Sequence, residues 1–299
     1  MRPAIKALMI MMCIFLSQGL LAKEYRIAVR AHHGIEKAKQ QWQQTVNVLN
    51  AQFPEHRFFL MPVLKLEELT KLAGQHEFDF VLTNPSSFVE IDQLYGATAL
   101  VTLNNKRANT AQDQFGSVIF THVRNENIIK ISDFKDKVLM AVSESAFGGW
   151  RMAWYEMLKN DFDPYKDARK LLFSKSRTHQ EVVRAVRDSI ADVGVVRTDT
   201  LENMESTGEI DLRYFRILNN KDIESFPFFL STELYPEWSF AAMRNVPQKL
   251  QQQIQQILLS LEPETLAAKA GKYIGWVPAH NYSVVNTLMK KLKVEAYAE

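Results

Sequence analysis

The sequence predicts an α/β protein of two lobes, each a mainly parallel sheet flanked by helices, with two hinge crossings between them. Three observations carry this. From residue 24 onward, short apolar runs alternate with segments of helical periodicity. A second series of the same kind starts near Gly116. Strand-like runs and three helices after residue 213 then bring the chain back. At 299 residues there is length enough for two lobes of ordinary size.

In the first series, Tyr25–Val29, Arg57–Val63 and Phe78–Leu82 read as strands. The helices between and after them are Lys37–Leu49, with Trp42, Val46 and Leu49 on one face, Leu66–Ala73, and Pro85–Leu94, which has proline in its first turn. In the second series, Ser117–Thr121, Val138–Val142, Lys170–Phe173 and Val193–Val196 read as strands, with helices at Gly149–Leu158 and His179–Ser189. The return comprises strand-like Tyr214–Leu218 and Phe228–Thr232, then helices at Pro247–Leu261, Pro263–Gly271 and Tyr282–Leu292. The polar stretch TLNNKRANTAQDQ (102–114) fits the first crossing or a loop beside it. The expected boundaries are a leader at 1–22, lobe one at 23–110 and 219–299, and lobe two at 111–218.

The leader rests on Arg2 and Lys6 before the apolar run Ala7–Leu16, followed by small or neutral residues up to Ala22. This is the pattern of a cleaved secretory signal, and its core is shorter than the ~20 apolar residues of a spanning helix. The mature chain is therefore expected in an exported compartment, as a monomer. The only cysteine, Cys13, lies in the leader, which removes disulfides, cysteine-ligated zinc and thiol nucleophiles from the mature chain. With 46% hydrophobic and 23% charged residues the composition is that of an ordinary globular protein. A net charge of +2 argues against nucleic acid as a partner, so any positive field must be local.

In open α/β sheets ligands bind outside the carboxyl ends of the strands. Thr83, Asn84 and Ser86 follow the third strand; Ser143, Ser145 and Ala146 follow Val142; Thr178 and His179 open the helix after Phe173. Each junction puts small polar residues where free N–H groups and the positive end of a helix dipole point outward, which favours an anion. Simple N-capping explains any one junction equally well; three around one crevice favour binding. Arg177 and Arg197 follow second-lobe strands, and Arg30, His32 and His33 follow the first strand. Arginines at strand ends suit bidentate contact with an acidic group. Glu144 opposes a strongly anionic pocket unless it points away or pairs with one of these arginines. Trp150 shares a helix face with Phe147 and Trp154, and either packs in the core or lines the cleft. No H-E-x-x-H, G-x-S-x-G or nucleotide loop is present, and the seven histidines show no ligand spacing. Binding without chemistry, cofactor or metal is the expectation.

The stretches FDFVLTNPSSFVEI, VLMAVSESAFGGWRMAWYEML, THQEVVRAVRDSIADVGVVRTDTLENM and FPFFLSTELYPEWSFAAM resemble the PhnD-like phosphonate-binding periplasmic proteins. With GWVPAHNYSVVNTLMKKL, they resemble most the branch forming the extracytoplasmic sensor part of tetrathionate-sensor-like histidine kinases. The likeness runs from about residue 24 to 295. It implies a class II type periplasmic-binding-protein fold that closes on a small oxyanion, phosphonate-like or a sulfur oxyanion, and works with an ABC-transporter permease or a separate membrane kinase or cyclase. It places the ligand-facing loops on Thr83, Asn84, Ser86, Ser143, Ser145, Ala146, Thr178 and His179, with Arg197 beside them. Two departures stand out: His33 occupies a position where that branch commonly has arginine, and the sensor relatives continue into a membrane span where this chain stops. An enzyme on the same scaffold is the alternative from another class.

Overall fold

The computed structural model describes residues 22–298; the leader reading, at 1–22, falls almost wholly outside them. The first sheet contains β1 (Lys23–Arg30), β2 (His56–Val63), β3 (Phe80–Thr83), β4 (Ala97–Arg107), β5 (Thr110–Gln112), β13 (Ser239–Met243) and β14 (Tyr273–Pro278). Its order is β14-β4-β13-β3-β1-β2, with β5 added to β4. β1 pairs in parallel with β2 and β3, whereas β13 runs antiparallel to both β3 and β4. The second sheet, β11-β7-β10-β8-β9, is built from β7 (Ser117–His122), β8 (Val138–Ala141), β9 (Lys170–Phe173), β10 (Val193–Arg197) and β11 (Phe215–Leu218). β8 is parallel to β9 and β10; β7 opposes β10. Between the sheets lies an antiparallel ribbon of β6 (Gln114–Phe115) and β12 (Tyr235–Pro236). Against the direction of the others run β5, β13 and β14 in the first sheet and β7 in the second, so both sheets are mixed.

Strand alternation divides each lobe's apolar residues between two faces. In the first sheet Ile27, Val29, Phe80, Leu82 and Phe240 join one core, and Ala28, Val81 and Ala241 the other. In the second sheet Val118, Phe120 and Val196 face one side, and Ile119, Val193 and Val195 the opposite one. Helices cover these faces: α1 (Ile35–Gln52), α2 (Leu66–Gly74), α3 (Pro85–Tyr95), α4 (Met152–Lys159), α5 (His179–Arg187), α6 (Thr200–Ser206), α7 (Gln248–Leu259), α8 (Leu266–Gly271) and α9 (Ser283–Leu292). One core crosses the lobes, because Phe147 and Met152 pack with Tyr282, Val285 and Met289 of α9.

Three expectations need correction. The polar stretch 102–114 is largely strand: β4 runs to Arg107 and turns into β5 through Ala108 and Asn109, both at positive φ, as a two-residue primed hairpin requires. Its polar residues sit on a projecting hairpin whose faces are partly solvated. The segment Phe228–Thr232 is not a strand. Here Ser231 and Thr232 approach β7 through their side chains: Ser231 Oγ accepts from Ile119 N at 2.9 Å, and Thr232 Oγ1 from Ser117 N at 3.1 Å. The helix expected from Gly149 opens as a π-helical turn, Phe147–Arg151, ahead of α4.

The turn is widened by close approach. Ser117 Oγ donates to Gly148 O at 2.6 Å, and a Cβ on Gly149 would lie 2.7 Å from Val142 Cγ2 and 3.1 Å from His179 Cε1. Gly149→Ala is therefore expected to lower stability by about 1–3 kcal/mol, measured by urea unfolding; an unchanged midpoint would show that β8 yields freely.

Candidate functional site

The carboxyl ends of β1, β3 and β4 lie at one edge of the first sheet, beside the start of antiparallel β13. The carboxyl ends of β8, β9 and β10 form the matching edge of the second sheet. The ribbon β6–β12 joins the lobes beside these edges, which thereby form the two walls of a crevice.

In lobe one, Asn84 caps α3, its Oδ1 accepting from Ser87 N at 3.0 Å and from Ser86 Oγ at 2.9 Å. That spends the Ser86 hydroxyl internally and leaves the half-buried Asn84 facing outward. Thr83 is fully buried, and its hydroxyl, with those of Ser87 and Ser239, has no hydrogen-bond partner in the structure. Thr83 and Ser239 are register partners, so these hydroxyls form part of a polar floor beneath the strand ends. The His32 and His33 rings lie 3.9 Å apart between centroids, tilted by 44°, and His32 leans on Trp238 at 5.4 Å.

In lobe two, Ser143, Ser145 and Ala146 are half-buried on the turn after β8. Ala146 N donates to Ser143 O at 3.0 Å, closing the turn. Glu144 is exposed, and its charge acts on Tyr165 in the body of the lobe. The turn after β9 differs from expectation. Thr178 caps α5, but the Glu181 carboxylate folds back onto this loop: Ser174 Oγ at 2.7 Å, Ser176 N at 2.9 Å, Lys175 N at 3.2 Å and the Ser176 hydroxyl all donate to it. These bonds, the Ser176 hydroxyl's first, hold its pKa down to about 2. The protein's own carboxylate thus occupies this turn, and Thr178 serves as a cap. His179 remains available: its Nδ1 accepts from Arg197 N at 3.2 Å, so the neutral ring carries its proton on Nε2.

The cationic groups of both lobes sense one another. Burial, and then the charges of Arg197, Arg107, His32 and His33, press His179 down to about 3. Burial, followed by His33 and Arg30, brings His32 to about 3 as well. Arg30 is lowered by burial and, further, by Arg177 across the crevice. The exposed Arg177 belongs to this rim, and His33 beside it is lowered by burial and then by Lys37.

Trp150, which the sequence left between core and cleft, and Arg197, which the resemblance sets beside the ligand, are both committed elsewhere. Trp150 is fully buried in the second lobe's core, stacked with Trp154, its Nε1 donating to Tyr165 Oη at 3.3 Å. Arg197 turns to the hinge, where Glu237, wholly buried, takes its Nη2. Asn105 Nδ2 also donates to Glu237 at 3.1 Å, Arg107 pairs with Asp199 at 3.4 Å, and Arg197 lies 4.1 Å over Phe115. The space lined by Arg107, Arg197, Phe226 and Phe228 is too narrow for a water molecule. Arg107, Trp238 and Glu237 were not found by sequence reading. Arg107 is hidden in a stretch that reads as loop, and the other two lie in YPEWSF, which shows no alternation. Glu237→Ala would leave Arg197 buried without its main counterion, for an expected loss of about 3–5 kcal/mol in denaturant unfolding; a loss below ~1 kcal/mol would mean that Asp199 suffices.

A profile of the family described as "ABC transporter, phosphonate, periplasmic substrate-binding protein" matches residues 28–283. The tetrathionate sensor histidine kinase TtrS of Salmonella typhimurium is 27% identical over 279 residues, covering 93% of this chain and 45% of that protein, so the chain spans less than half of this relative. XAC2383 from Xanthomonas citri, solved bound to ATP, superposes with a TM-score of 0.72 at 14% identity, covering 93% of this chain and all of that one. PhnD1 from Prochlorococcus marinus, solved with methylphosphonate, gives 0.66 at 14% identity, covering 91% and 99%. At such identity these structures speak for the fold, which is that of the two-lobed class II binding proteins. The family match extends over most of the chain, through both sheets and both crossings. This protein belongs to the phosphonate-type periplasmic substrate-binding protein family of ABC transporters.

Proposed function

We propose that the protein captures a small oxyanion between its lobes and presents the closed form to a membrane partner. The observation that carries this reading is the meeting of basic residues from both lobes at the facing strand ends. Arg30, His32 and His33 stand on one wall, Arg177 and His179 on the other; the two arginines carry charge and act on one another, while the lowered histidines are neutral hydrogen-bonding groups. An anion between them relieves that repulsion, and contacts with both walls give it a higher affinity for the closed state, which is the condition for ligand-driven closure. Asn84 and the Ser143–Ala146 turn supply neutral donors, as does His179 through Nε2. The role is binding without chemistry.

Uptake through an ABC permease is the role that the family match supports. A second reading, in which the closed form is sensed by a separate membrane kinase, is favoured by the 27% identity to TtrS across 93% of this chain. An exported, periplasmic location accords with both readings; among the described residues, no helix is long and apolar enough to cross a membrane.

A thermal-shift screen with methylphosphonate, phosphite, thiosulfate, tetrathionate and small carboxylates is expected to show stabilisation by at least one oxyanion, weakening as salt is raised. No shift with any of them would overturn the reading. Ser145→Asp, which puts a carboxylate on the lobe-two turn, should abolish binding of the stabilising anion in calorimetry. Unchanged affinity would exclude that turn from the site.

A further inference from the structure

Behind the crevice, three segments meet at one buried charge cluster. Arg151 ends the π-helical turn and is 4% exposed. Its Nε donates to Glu144 O at 3.1 Å and its backbone N to Ala146 O at 3.0 Å, so it grips the lobe-two turn directly. Its other side faces lobe one: Nη1 and Nη2 each donate to a carboxylate oxygen of Glu295, the former at 3.0 Å, and Nη1 lies 3.6 Å from Met289 Sδ on α9. Glu295 opens the one-turn helix Glu295–Tyr297, whose Tyr297 Oη donates to Val89 O of α3 at 3.1 Å. Next to Val89 stands Glu90, buried, accepting from Thr70 Oγ1 at 3.1 Å and close enough to Glu295 to share a proton with it. α3 starts at Asn84 in the crevice wall. The segment that carries one wall and the segment that carries the other are thus joined at the rear through the C-terminal residues.

We propose that Arg151, clasped by Glu295, with Glu90 beside that carboxylate, is a positioning residue that ties the Ser143–Ala146 turn to the C-terminal segment, so that lobe closure and the placement of that segment move together. Its positioning part rests on the reading of this turn as a ligand wall. The geometry gives the C-terminal segment a purpose beyond packing: it touches both lobes through a bidentate ion pair that stays made only while the lobes keep this spacing.

The cluster holds two carboxylates against one guanidinium. Burial first, and then the charge of Glu295, push Glu90 up to about 7, against 4.5 for a free glutamate. Arg151 and the Thr70 hydroxyl oppose this; Tyr297 and Asp92 are the other titratable groups facing the cluster. Because the folded state binds the extra proton between these two values, the stability that Glu90 contributes is fully present below 4.5 and lost as pH rises through about 7. Below that point a protonated Glu90 bonds Glu295 and the pair with Arg151 is balanced. Above it the clasp carries an uncompensated negative charge.

The test is a distance measurement between spin labels at Lys65→Cys and Lys175→Cys, across the crevice mouth, in the Cys13→Ser background without ligand. The unmodified clasp is expected to shift toward longer distances between pH 6 and pH 8. Glu90→Gln should remove that dependence and raise the unfolding midpoint at pH 8 but not at pH 4, and Glu295→Gln should open the lobes at both pH 6 and pH 8. Identical distributions in all three proteins at both pH values would overturn the proposal. Should Glu295→Gln fail to fold, the Glu90→Gln pH profile decides alone: retained pH dependence rejects the clasp. No ligand is used, so a protein that binds no oxyanion would count against the solute-binding role and leave this result to be judged separately.

Discussion

A carboxylate with no exposure to solvent, Glu237, stands beside the ribbon that joins the lobes and holds Arg197 from the second lobe. A buried ion pair of this kind contributes modestly to stability when intact and costs several kcal/mol when one partner is lost. Its consequence here is positional. Asn105 and the backbone N–H of Trp238 fill the remaining capacity of Glu237, while Asp199 balances Arg107. The hinge end of the crevice is therefore a neutral, closed cluster. The remaining arginines of the walls, Arg30 after β1 and Arg177 after β9, act on each other from opposite lobes.

The two walls are not built alike. At the lobe-one junction, the Asn84 amide remains free after capping because Oδ1 alone does the capping. In the lobe-two turn after β9, Glu181 takes the hydroxyls and N–H groups that a guest would otherwise use. Helix starts of similar composition thus end in opposite states, and the difference comes from one acidic residue three positions into α5. The Ser143–Ala146 turn and Asn84 are left as the helix starts whose polar groups are not taken up by a carboxylate of the chain itself.

The same turn is supported from behind. The π-helical opening of the following helix exists because Gly148 and Gly149 let the backbone lie against Phe115 and Val142. It delivers Arg151 to Glu295 on the far side of the molecule. One short segment therefore carries the Ser143–Ala146 hydroxyls at one end and, through Arg151, the contact with the C-terminal residues at the other.

By itself the sequence determined the alternation of strands and helices, the presence of two lobes, and the polar residues that follow β3, β8 and β9. These are local properties: apolar periodicity and capping residues at Asn84 and Thr178 are written within a few positions of one another. Only the tertiary structure decided that Arg197 and Trp150 turn away from the crevice, that Arg107 enters it from a polar stretch resembling a loop, and that Glu181 fills one of the helix starts. β13 and the segment 228–232 were likewise illegible, because strand pairing from β13 and side-chain pairing from Ser231 depend on partners more than a hundred residues away. Whether a charged or polar group serves a ligand or the fold depends on which counterpart reaches it first, and that counterpart is supplied by another part of the chain.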